Sequence, residues 1–273
     1  MGLLEHRRDI FSQNGEDGVI EYIFSKIGKG NMSCCEFGAW DGIHFSNTRN
    51  LVLEGWRGLF IECDKTRFEL CKKNYGQNDN VVCLKRMVDD KENSLEHLLE
   101  EAKFSKELDF LSVDIDGLDF EILKGMTIRP RVICIEVNPG HSPTATEKIP
   151  TNIAMNNVGQ PFVLFADQAK EMGYALVCYT GNAFLVRLDC LDGLRPLSVV
   201  EAYDEYIANL DQKSRDWMYL VNKSLTEPFY PYGNPKLSGS NLGLNKGHRF
   251  KIFLGALPKK MWYIVNMKRF TQG

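Results

Sequence analysis

The chain has 273 residues, of which 44% are hydrophobic and 25% are charged, and its formal net charge is −3. This length allows one large α/β domain with an elaboration, or two smaller domains, and the composition is ordinary for a soluble globular protein. The near balance of charge gives no argument for nucleic acid binding by the chain as a whole. We expect no signal peptide and no membrane span, because no apolar run has the required length.

The first predicted element is a helix over residues 10–28. Its apolar residues follow a helical stripe, and the acids Glu16 and Asp17 stand at its start, where the helix dipole favours them. Gly28 ends it.

Short apolar runs then alternate with amphipathic segments. The predicted strands are Ser33–Phe37, Gly58–Glu62, Val81–Leu84, Asp109–Val113, Val132–Val137, Ala175–Thr180 and Ala183–Arg187. The predicted helices between them cover about 46–54, 65–75, 92–103, 119–125 and 163–173. This alternation predicts a parallel sheet with helices on both faces. Because only Gly181 and Asn182 join the last two strands, these should form an antiparallel hairpin, so that the sheet ends with one reversed strand.

The alternation stops after residue 188. We therefore predict a main domain over residues 1–188 and an elaboration over 189–273 that serves substrate binding or oligomerisation. Eight cysteines occur without a C-x-x-C pair, and most of them lie in apolar runs, where a thiol behaves as a small hydrophobe. Reduced cysteines and a cytoplasmic location are the expectation.

The residues Cys34–Gly42 predict a buried strand followed by a sharp turn at Gly38 and Gly42. Such a turn lets a ligand approach the main chain closely. Dinucleotide sites usually carry G-x-G-x-x-G, whereas this stretch reads E-x-G-x-x-x-G. That spacing is typical of sites for S-adenosylmethionine, whose ammonium can meet an acid and whose carboxylate can meet amides. A purely structural turn fits the motif alone about equally well.

The other predicted strands also end in residues suited to a ligand. Glu62 could accept hydrogen bonds from two ribose hydroxyls, although it could equally begin a loop. Met87 or Val88, with an acid nearby, could form an apolar floor and a polar partner for adenine.

Acids are concentrated after the fourth and fifth strands. Asp114 and Asp116 follow one of them, and Glu136 and Asn138 end the other. Such oxygen ligands suit Mg²⁺ or Mn²⁺, so Asp114, Glu136 and Asn138 are candidate metal ligands. The alternative is that Asp114 and Glu136 only cap loops. His141 is a candidate general base, or else a solvated loop residue.

Several of these stretches together resemble the FkbM-like S-adenosylmethionine-dependent methyltransferases. The resemblance covers about residues 10 to 188 and rests on Ser12–Asp17, Glu36–Gly42, Ser46–Thr48, Gly55–Glu62, Asp109–Gly117 and Ile135–Asn138. It implies a Rossmann-like class I methyltransferase fold, in which a seven-stranded, mostly parallel sheet has an antiparallel last strand. Members of this family are mostly O-methyltransferases that act on sugars or other secondary metabolites.

The resemblance also implies roles for single residues. Glu36, Gly38, Ala39 and Gly42 would shape the methionine end of the cofactor site, and Ser46, Asn47 and Thr48 would donate to the cofactor carboxylate. Glu62 would hold the ribose, Cys63 and Asp114 are further candidate cofactor-binding residues, and Gln13 and Glu16 would close the site. The candidate catalytic residues are Asp114, Asp116, Glu136 and His141.

The sequence hypothesis is therefore an O-methyltransferase for a hydroxyl of a sugar, a nucleotide-activated sugar or a surface glycan, as in polysaccharide biosynthesis. A divalent cation could lower the pKa of that hydroxyl. Two alternatives stay open, namely an NAD-dependent oxidoreductase, which the glycine spacing disfavours, and a methyltransferase-like binding module without activity.

The C-terminal tail is basic. No acid follows Glu227, whereas eight lysines and arginines do. These cations could meet the diphosphate of a nucleotide sugar, or they could rest with the aromatic stretch Met261–Val265 on an anionic membrane. We expect no nucleic acid partner, and a homo-oligomer is compatible with the sequence.

Overall fold

Seven strands form one mixed sheet in the computed structural model, which describes residues 2–89, 92–115, 117–150 and 159–210. In chain order they are β1 (Ser33–Phe37), β2 (Arg57–Glu62), β3 (Val81–Lys85), β4 (Phe110–Val113), β5 (Val132–Glu136), β6 (Tyr174–Tyr179) and β7 (Asn182–Arg187). Each predicted strand is present, and no end differs from its predicted position by more than one residue.

The strand order is β3-β2-β1-β4-β5-β7-β6. The first five strands in this order are parallel to one another, and β7 is antiparallel to both of its neighbours. The predicted class I methyltransferase topology, with its reversed last strand, is confirmed. The reversed strand does not lie at the edge of the sheet, however, because Ala183 of β7 faces Ile135 of β5 on one side and Tyr179 of β6 on the other.

Helices fill the connections between the strands. They are α1 (Glu16–Ile27), α2 (Arg49–Leu53), α3 (Lys65–Tyr75), α4 (Leu95–Glu101), α5 (Asp119–Gly125), α6 (Phe162–Glu171) and α7 (Val199–Ala208), with 3-10 turns at Leu3–His6 and Leu188–Cys190. Asp64 caps α3, since its side chain accepts the Arg67 amide at 2.9 Å. No helix in these described ranges is long and apolar enough to cross a membrane.

The core lies against both faces of the sheet. On one face α1, α2 and α3 bury the side chains of alternate strand residues, and Phe24 of α1 packs edge-on against Trp56 at 4.8 Å between ring centroids. The strand residues of opposite orientation are buried as well, and Phe120 of α5 packs against Phe165 of α6. This burial explains why the strands read as continuous apolar runs.

The described residues divide into two units. Of the described residues, one unit takes in those up to Asn138 and those over Pro143–Ala208, and the other takes in Pro139–Ser142 with Asn209 and Leu210. The predicted boundary at residue 188 stays a prediction. Asp116 and the basic tail lie outside the described residues.

Candidate active site

Four of the predicted site residues lie in one row across the sheet. Phe37 of β1 pairs with Ile61 of β2 and with Val113 of β4, and Val113 in turn pairs with Ile135 of β5. The residues that come next are Gly38 after Phe37, Glu62 after Ile61, Asp114 after Val113 and Glu136 after Ile135. These four residues are called the row below. The order of the strands reverses between β1 and β4, and open α/β sheets bind ligands outside the carboxyl ends of the strands at this point.

Gly38 is at the centre of this row. Its φ is +69°, and a Cβ built on it would come 1.9 Å from the main-chain oxygen of Asp114. Only a glycine fits here, for a conformational and a steric reason together. The first glycine of the motif thus brings the turn after β1 against the end of β4.

Gly42 has a different neighbour. A Cβ on Gly42 would come 2.5 Å from the ring of Tyr75 in α3, and the Tyr75 hydroxyl donates to the Gly42 carbonyl at 2.5 Å. Its φ is +72°. The second glycine therefore allows Tyr75 of α3 to pack against the turn. Its predicted part in shaping the cofactor site stays a prediction.

Glu36 holds the segment that begins α2. Its buried carboxylate accepts hydrogen bonds from the Ser46 hydroxyl at 2.6 Å, the Asn47 amide at 2.8 Å and the Thr48 hydroxyl at 2.7 Å. The Asn47 side chain continues to Ser112 of β4, to which its amide nitrogen donates at 3.0 Å. The predicted donors to a cofactor carboxylate thus bond to Glu36, and their role toward a cofactor stays a prediction.

The turn between Gly38 and Phe45 is strained. Trp40 and Phe45 both have positive φ, of 52° and 57°, which bulky residues rarely adopt. Glu62 helps to hold this turn, because its carboxylate accepts the Trp40 amide at 2.9 Å as well as the Asp64 amide at 2.8 Å. Such strain is retained where the surrounding structure enforces it, which is common at ligand sites.

Residues next to Glu62 complete this side of the row. Cys63 is exposed, and its partial burial and the Glu62 carboxylate raise the pKa of its thiol. Ala39 is buried within the turn. In the loop after β3, Met87 is 63% exposed whereas Val88 is buried, and a contact of either residue with adenine stays a prediction.

Asp119 lies close to Asp114 of the row, and the sequence analysis did not select it. It is buried at the start of α5, and it accepts the Ile115 amide at 3.0 Å and the Gly117 amide at 2.9 Å. Burial and the nearby Asp114 carboxylate raise the pKa of Asp119 to about 7. The signal available in the sequence was the spacing Asp114-x-x-x-x-Asp119, which brings two carboxyl groups together across one loop.

Asp41 and His44 form a second pair that was not predicted. The Asp41 carboxylate lies 2.5 Å from His44 Nδ1 and accepts the amides of Ile43 and His44 at 2.9 Å. Burial alone would raise the pKa of Asp41, but the main-chain and imidazole hydrogen bonds of His44 and the Ile43 amide hold it below its usual value. The side chain of His44 is 55% exposed. A carboxylate that orients an imidazole is a common arrangement around a general base.

Glu16 joins the N-terminal helix to the β6–β7 turn. It is fully buried, and it accepts the Thr180 hydroxyl at 2.8 Å, the Asn182 side chain at 3.0 Å and the Asn14 amide at 2.7 Å. Burial raises the pKa of Glu16. Gln13 donates its amide to the same carboxylate at 3.2 Å. The described contacts of Glu16 are therefore structural, and closure of the site by Gln13 and Glu16 stays a prediction.

The residues after β5 are only partly brought into the row. Glu136 is half-buried and pairs in register with Asn182, while Asn138 is half-buried two residues later. His141 is buried and belongs to the second unit. Within the described residues, no group of three or more His, Cys, Asp or Glu side chains could hold a metal ion, so nothing there supports the predicted divalent cation.

Comparison with known proteins identifies one segment. Residues 88–174, about a third of the chain, match the family model described as the methyltransferase FkbM domain. The match confirms the predicted resemblance and includes Asp114, Asp119 and Glu136. No curated protein matches the chain significantly.

Solved structures similar to the chain are distant. The methyltransferase domain of METTL16 has 16% identity and a TM-score of 0.40, with 63% of this chain and 66% of that chain covered. Monomeric WbdD has 13% identity and a TM-score of 0.42, with 66% and 42% covered. Magnesium protoporphyrin IX methyltransferase from Synechocystis PCC 6803, with bound S-adenosylmethionine, has 12% identity and a TM-score of 0.38, with 63% and 79% covered. This chain therefore spans less than half of WbdD.

Proposed function

We propose that this chain, whose residues 88–174 belong to the FkbM methyltransferase family, transfers a methyl group from S-adenosylmethionine to a hydroxyl oxygen of a sugar or glycan. The observation that carries the proposal is the row of Glu62, Gly38, Asp114 and Glu136 at the point where the strand order reverses. The family match supports the type of reaction. The sugar acceptor is what the resemblance of the sequence to this family implies.

The residues of the row fit the cofactor. A carboxylate has about four lone-pair sites, and the described amides of Trp40 and Asp64 take two of those on Glu62. Glu62 therefore keeps acceptor capacity for ribose hydroxyls. The turn after β1 meets the end of β4 without an intervening side chain at Gly38, which leaves the main chain open to close approach.

The charge of the site fits as well. S-adenosylmethionine supplies an electrophilic methyl group on a positively charged sulfur. Three of the four residues in the row, Glu62, Asp114 and Glu136, carry carboxylates. Asp119 adds a carboxyl group whose pKa of about 7 leaves it partly protonated near neutral pH. A cation in the crevice would favour the ionised form of Asp119.

The acceptor hydroxyl must lose its proton. Methyl transfer is an in-line displacement, so the protein chiefly orients the acceptor and takes up this proton. We propose Asp114 as the proton acceptor, because it directly follows β4 and lies beside Gly38 in the middle of the row. His44, held by Asp41, is the second candidate. The variants Asp114→Asn and His44→Asn separate the two candidates. Replacement of the true proton acceptor should slow turnover without weakening cofactor affinity, and replacement of the other residue should not.

Calorimetry with the purified chain tests the cofactor. S-adenosylmethionine and its demethylated product should both bind, and Glu62→Gln should weaken binding about tenfold through the loss of one charged hydrogen-bond acceptor. Glu69→Gln makes the same chemical change at an exposed position of α3, and it is the control that should bind as the wild type does. Binding of NAD in place of S-adenosylmethionine would instead support an oxidoreductase.

Mass spectrometry tests the acceptor. Candidate sugars, nucleotide sugars and glycans are incubated with the chain and S-adenosylmethionine, and a gain of one methyl group identifies the acceptor. The gain should disappear when the hydroxyl concerned is absent from the substrate. Cofactor binding without turnover on any glycan would indicate the binding module, and methylation of nitrogen or carbon alone would contradict the proposal.

A further inference from the structure

Cys71 of α3 and Cys83 of β3 bring their sulfur atoms to 3.4 Å from each other. Cys71 is 1% exposed, whereas Cys83 is half-buried on an outer strand of the sheet. Two thiols at this distance are in contact without being bonded, since a disulfide has an S–S length of about 2.05 Å. The methyl transfer proposed above does not involve either thiol.

The two thiols differ in reactivity. A hydrogen bond from the Cys71 thiol lowers the pKa of Cys83, although burial acts against this, and the charge of Lys72 lowers it further. The same hydrogen bond, together with burial, raises the pKa of Cys71. Because the thiolate is the nucleophile, Cys83 is the sulfur that attacks an oxidant first. Its half-buried position also gives it the access to solvent that Cys71 lacks.

Three residues of α3 contact the turn after β1. The Cys71 sulfur is 3.1 Å from the place that a Cβ on Gly42 would take. The Asn74 side chain donates to the Asp41 carbonyl at 2.9 Å, and the Tyr75 hydroxyl donates to the Gly42 carbonyl at 2.5 Å. The three residues are three and four positions apart, so they share one face of the helix. The thiol pair therefore lies directly beside the main chain of the turn.

The same turn reaches the row. It begins at Gly38, which is one member of the row, and its Trp40 amide donates to Glu62, another member, at 2.9 Å. The helix α3 is also close to Glu62 along the chain, because it begins at Lys65. A movement of α3 against the turn would thus change how the turn meets Glu62. The thiol pair and the proposed cofactor site are connected through this one short segment.

We propose that Cys71 and Cys83 form a peroxide-sensitive switch, whose disulfide displaces the turn after β1 and weakens the binding of S-adenosylmethionine. The proposal rests on the function proposed above, because cofactor binding is what the switch controls. A bond would bring the two sulfur atoms together by about 1.4 Å. Cys83 is held in the ladder between β3 and β2, where it pairs with Phe60, so the movement falls mainly on Cys71. Cys71 must then leave its contact with Gly42 or carry α3 with it, and in a close-packed interior either change shifts the turn.

The oxidant is a hydroperoxide such as hydrogen peroxide. The Cys83 thiolate attacks one peroxide oxygen, the O–O bond breaks, and a sulfenic acid forms. The hydroxide that leaves takes up the proton that Cys83 had lost and becomes water. The Cys71 sulfur then attacks the sulfenic sulfur, so that the S–S bond forms, the S–O bond breaks, and a second water leaves with the Cys71 proton. The two thiols lose two hydrogens in all, the peroxide is reduced to two waters, and a dithiol reverses the oxidation by exchange.

Calorimetry with the reduced and the peroxide-treated full chain tests the switch. After digestion, mass spectrometry should find the peptides of Cys71 and Cys83 joined, and the affinity for S-adenosylmethionine should fall at least about tenfold. Dithiothreitol should restore the affinity. Cys83→Ser should bind as the reduced wild type does and keep its affinity after peroxide, and Cys190→Ser should respond as the wild type does. Cys71→Ala keeps a small apolar side chain beside Gly42 and is the second variant that should not respond.

Hydrogen exchange without cofactor separates failure of the switch from failure of the proposed function. Oxidation should speed the exchange of the amides over residues 39–45 in the wild type but not in Cys83→Ser. If the reduced chain does not bind S-adenosylmethionine, the proposed function fails, and the exchange still decides whether the disulfide moves the turn. The switch is overturned if peroxide does not join Cys71 to Cys83, or if the disulfide leaves either the affinity or the exchange unchanged. It is equally overturned if Cys83→Ser loses affinity as the wild type does, because another thiol such as Cys63 would then be responsible.

Discussion

The α-carbon of Gly38 lies against the main-chain carbonyl of Asp114, so that a Cβ at residue 38 would come 1.9 Å from that oxygen. The contact joins the turn after β1 to the end of β4. Because φ at Gly38 is also positive, Gly38→Ala must move the main chain at the centre of the row. We expect a loss of about 3 kcal/mol in the free energy of unfolding, measured in urea, and no detectable cofactor binding by calorimetry.

Gly55→Ala is the control for this change. Gly55 also has a positive φ, of +93°, in the turn that ends α2, but a Cβ added there would have no other atom within 4 Å. It should lose only about 1 kcal/mol, the conformational cost alone. Equal losses at the two positions would show that the contact with Asp114 adds nothing.

Glu36→Gln should destabilise the chain and loosen the start of α2. A glutamine offers one acceptor oxygen in place of two, although Ser46, Asn47 and Thr48 all donate to the Glu36 carboxylate. We expect a loss of about 2 to 3 kcal/mol by urea denaturation, since hydrogen bonds to a charged group are the strong ones. Glu201→Gln, which changes an exposed acid that accepts from Ser198 and Arg195, should have a much smaller effect. An equal effect would contradict the special role of the buried carboxylate.

Asp119 should make stability depend on pH in the acid range. The folded chain holds a proton on Asp119 up to pH of about 7, whereas the usual pKa of the group is 3.8. Between these values the folded state binds more protons than the unfolded state, so this group's contribution to stability falls as the pH rises from about 4 to about 7.

The variant Asp119→Asn should remove that slope. Its stability is expected to be lower at every pH, because the single side-chain oxygen of asparagine cannot accept both the Ile115 and the Gly117 amides in the same way. This uniform loss of stability is distinct from the loss of the pH dependence. Thermal unfolding in a series of buffers from pH 4 to pH 8 measures the slope of each protein. Parallel curves for wild type and variant would show that Asp119 titrates normally.

Cys71 and Cys83 should form a disulfide under mild oxidation. Their sulfur atoms are 3.4 Å apart between α3 and β3, and a disulfide requires about 2.05 Å. The Cys71 thiol lowers the pKa of Cys83, which favours a thiolate at the less buried of the two. Diamide should take one hydrogen from each thiol, so that mass spectrometry finds a loss of two hydrogens that dithiothreitol reverses.

Cys83→Ser should prevent this loss, and Cys190→Ser should not. Cys190 lies in the 3-10 turn after β7, where its described partners are Arg187 and Asp189. A cross-link that survives in Cys83→Ser would mean that another pair of cysteines reacts.

The strands and the row could be predicted because the sequence patterns that mark them are local. A strand buried on both faces is a continuous apolar run, and its end is marked by the first acid or glycine, as at Glu62 and Asp114. Since parallel strands present their carboxyl ends at one edge, knowing the strands was enough to gather these residues. The hairpin signal predicted the antiparallel direction of the last strand. It did not show that β7 lies between β5 and β6, because a hairpin alone does not say which of its two strands pairs with the rest of the sheet.

The contacts that were missed depend on tertiary packing. The sequence does not show that Gly42 packs against Tyr75 of α3, which is 33 residues away. Asp119 opens a helix, and acids are ordinary in that position. Only the folded chain shows that it is buried beside Asp114.

The two ends of α1 are held by parts of the chain that are synthesised much later. Its first residue, Glu16, bonds to Thr180, 164 residues on, and the carbonyl at its last residue, Ile27, accepts from Arg131, 104 residues on. On a ribosome the helix therefore emerges long before its partners. It cannot complete its contacts until the last strand of the sheet has been made, so this N-terminal helix should be among the last elements to dock, and a nascent chain stopped before β7 should leave its apolar side open to chaperones.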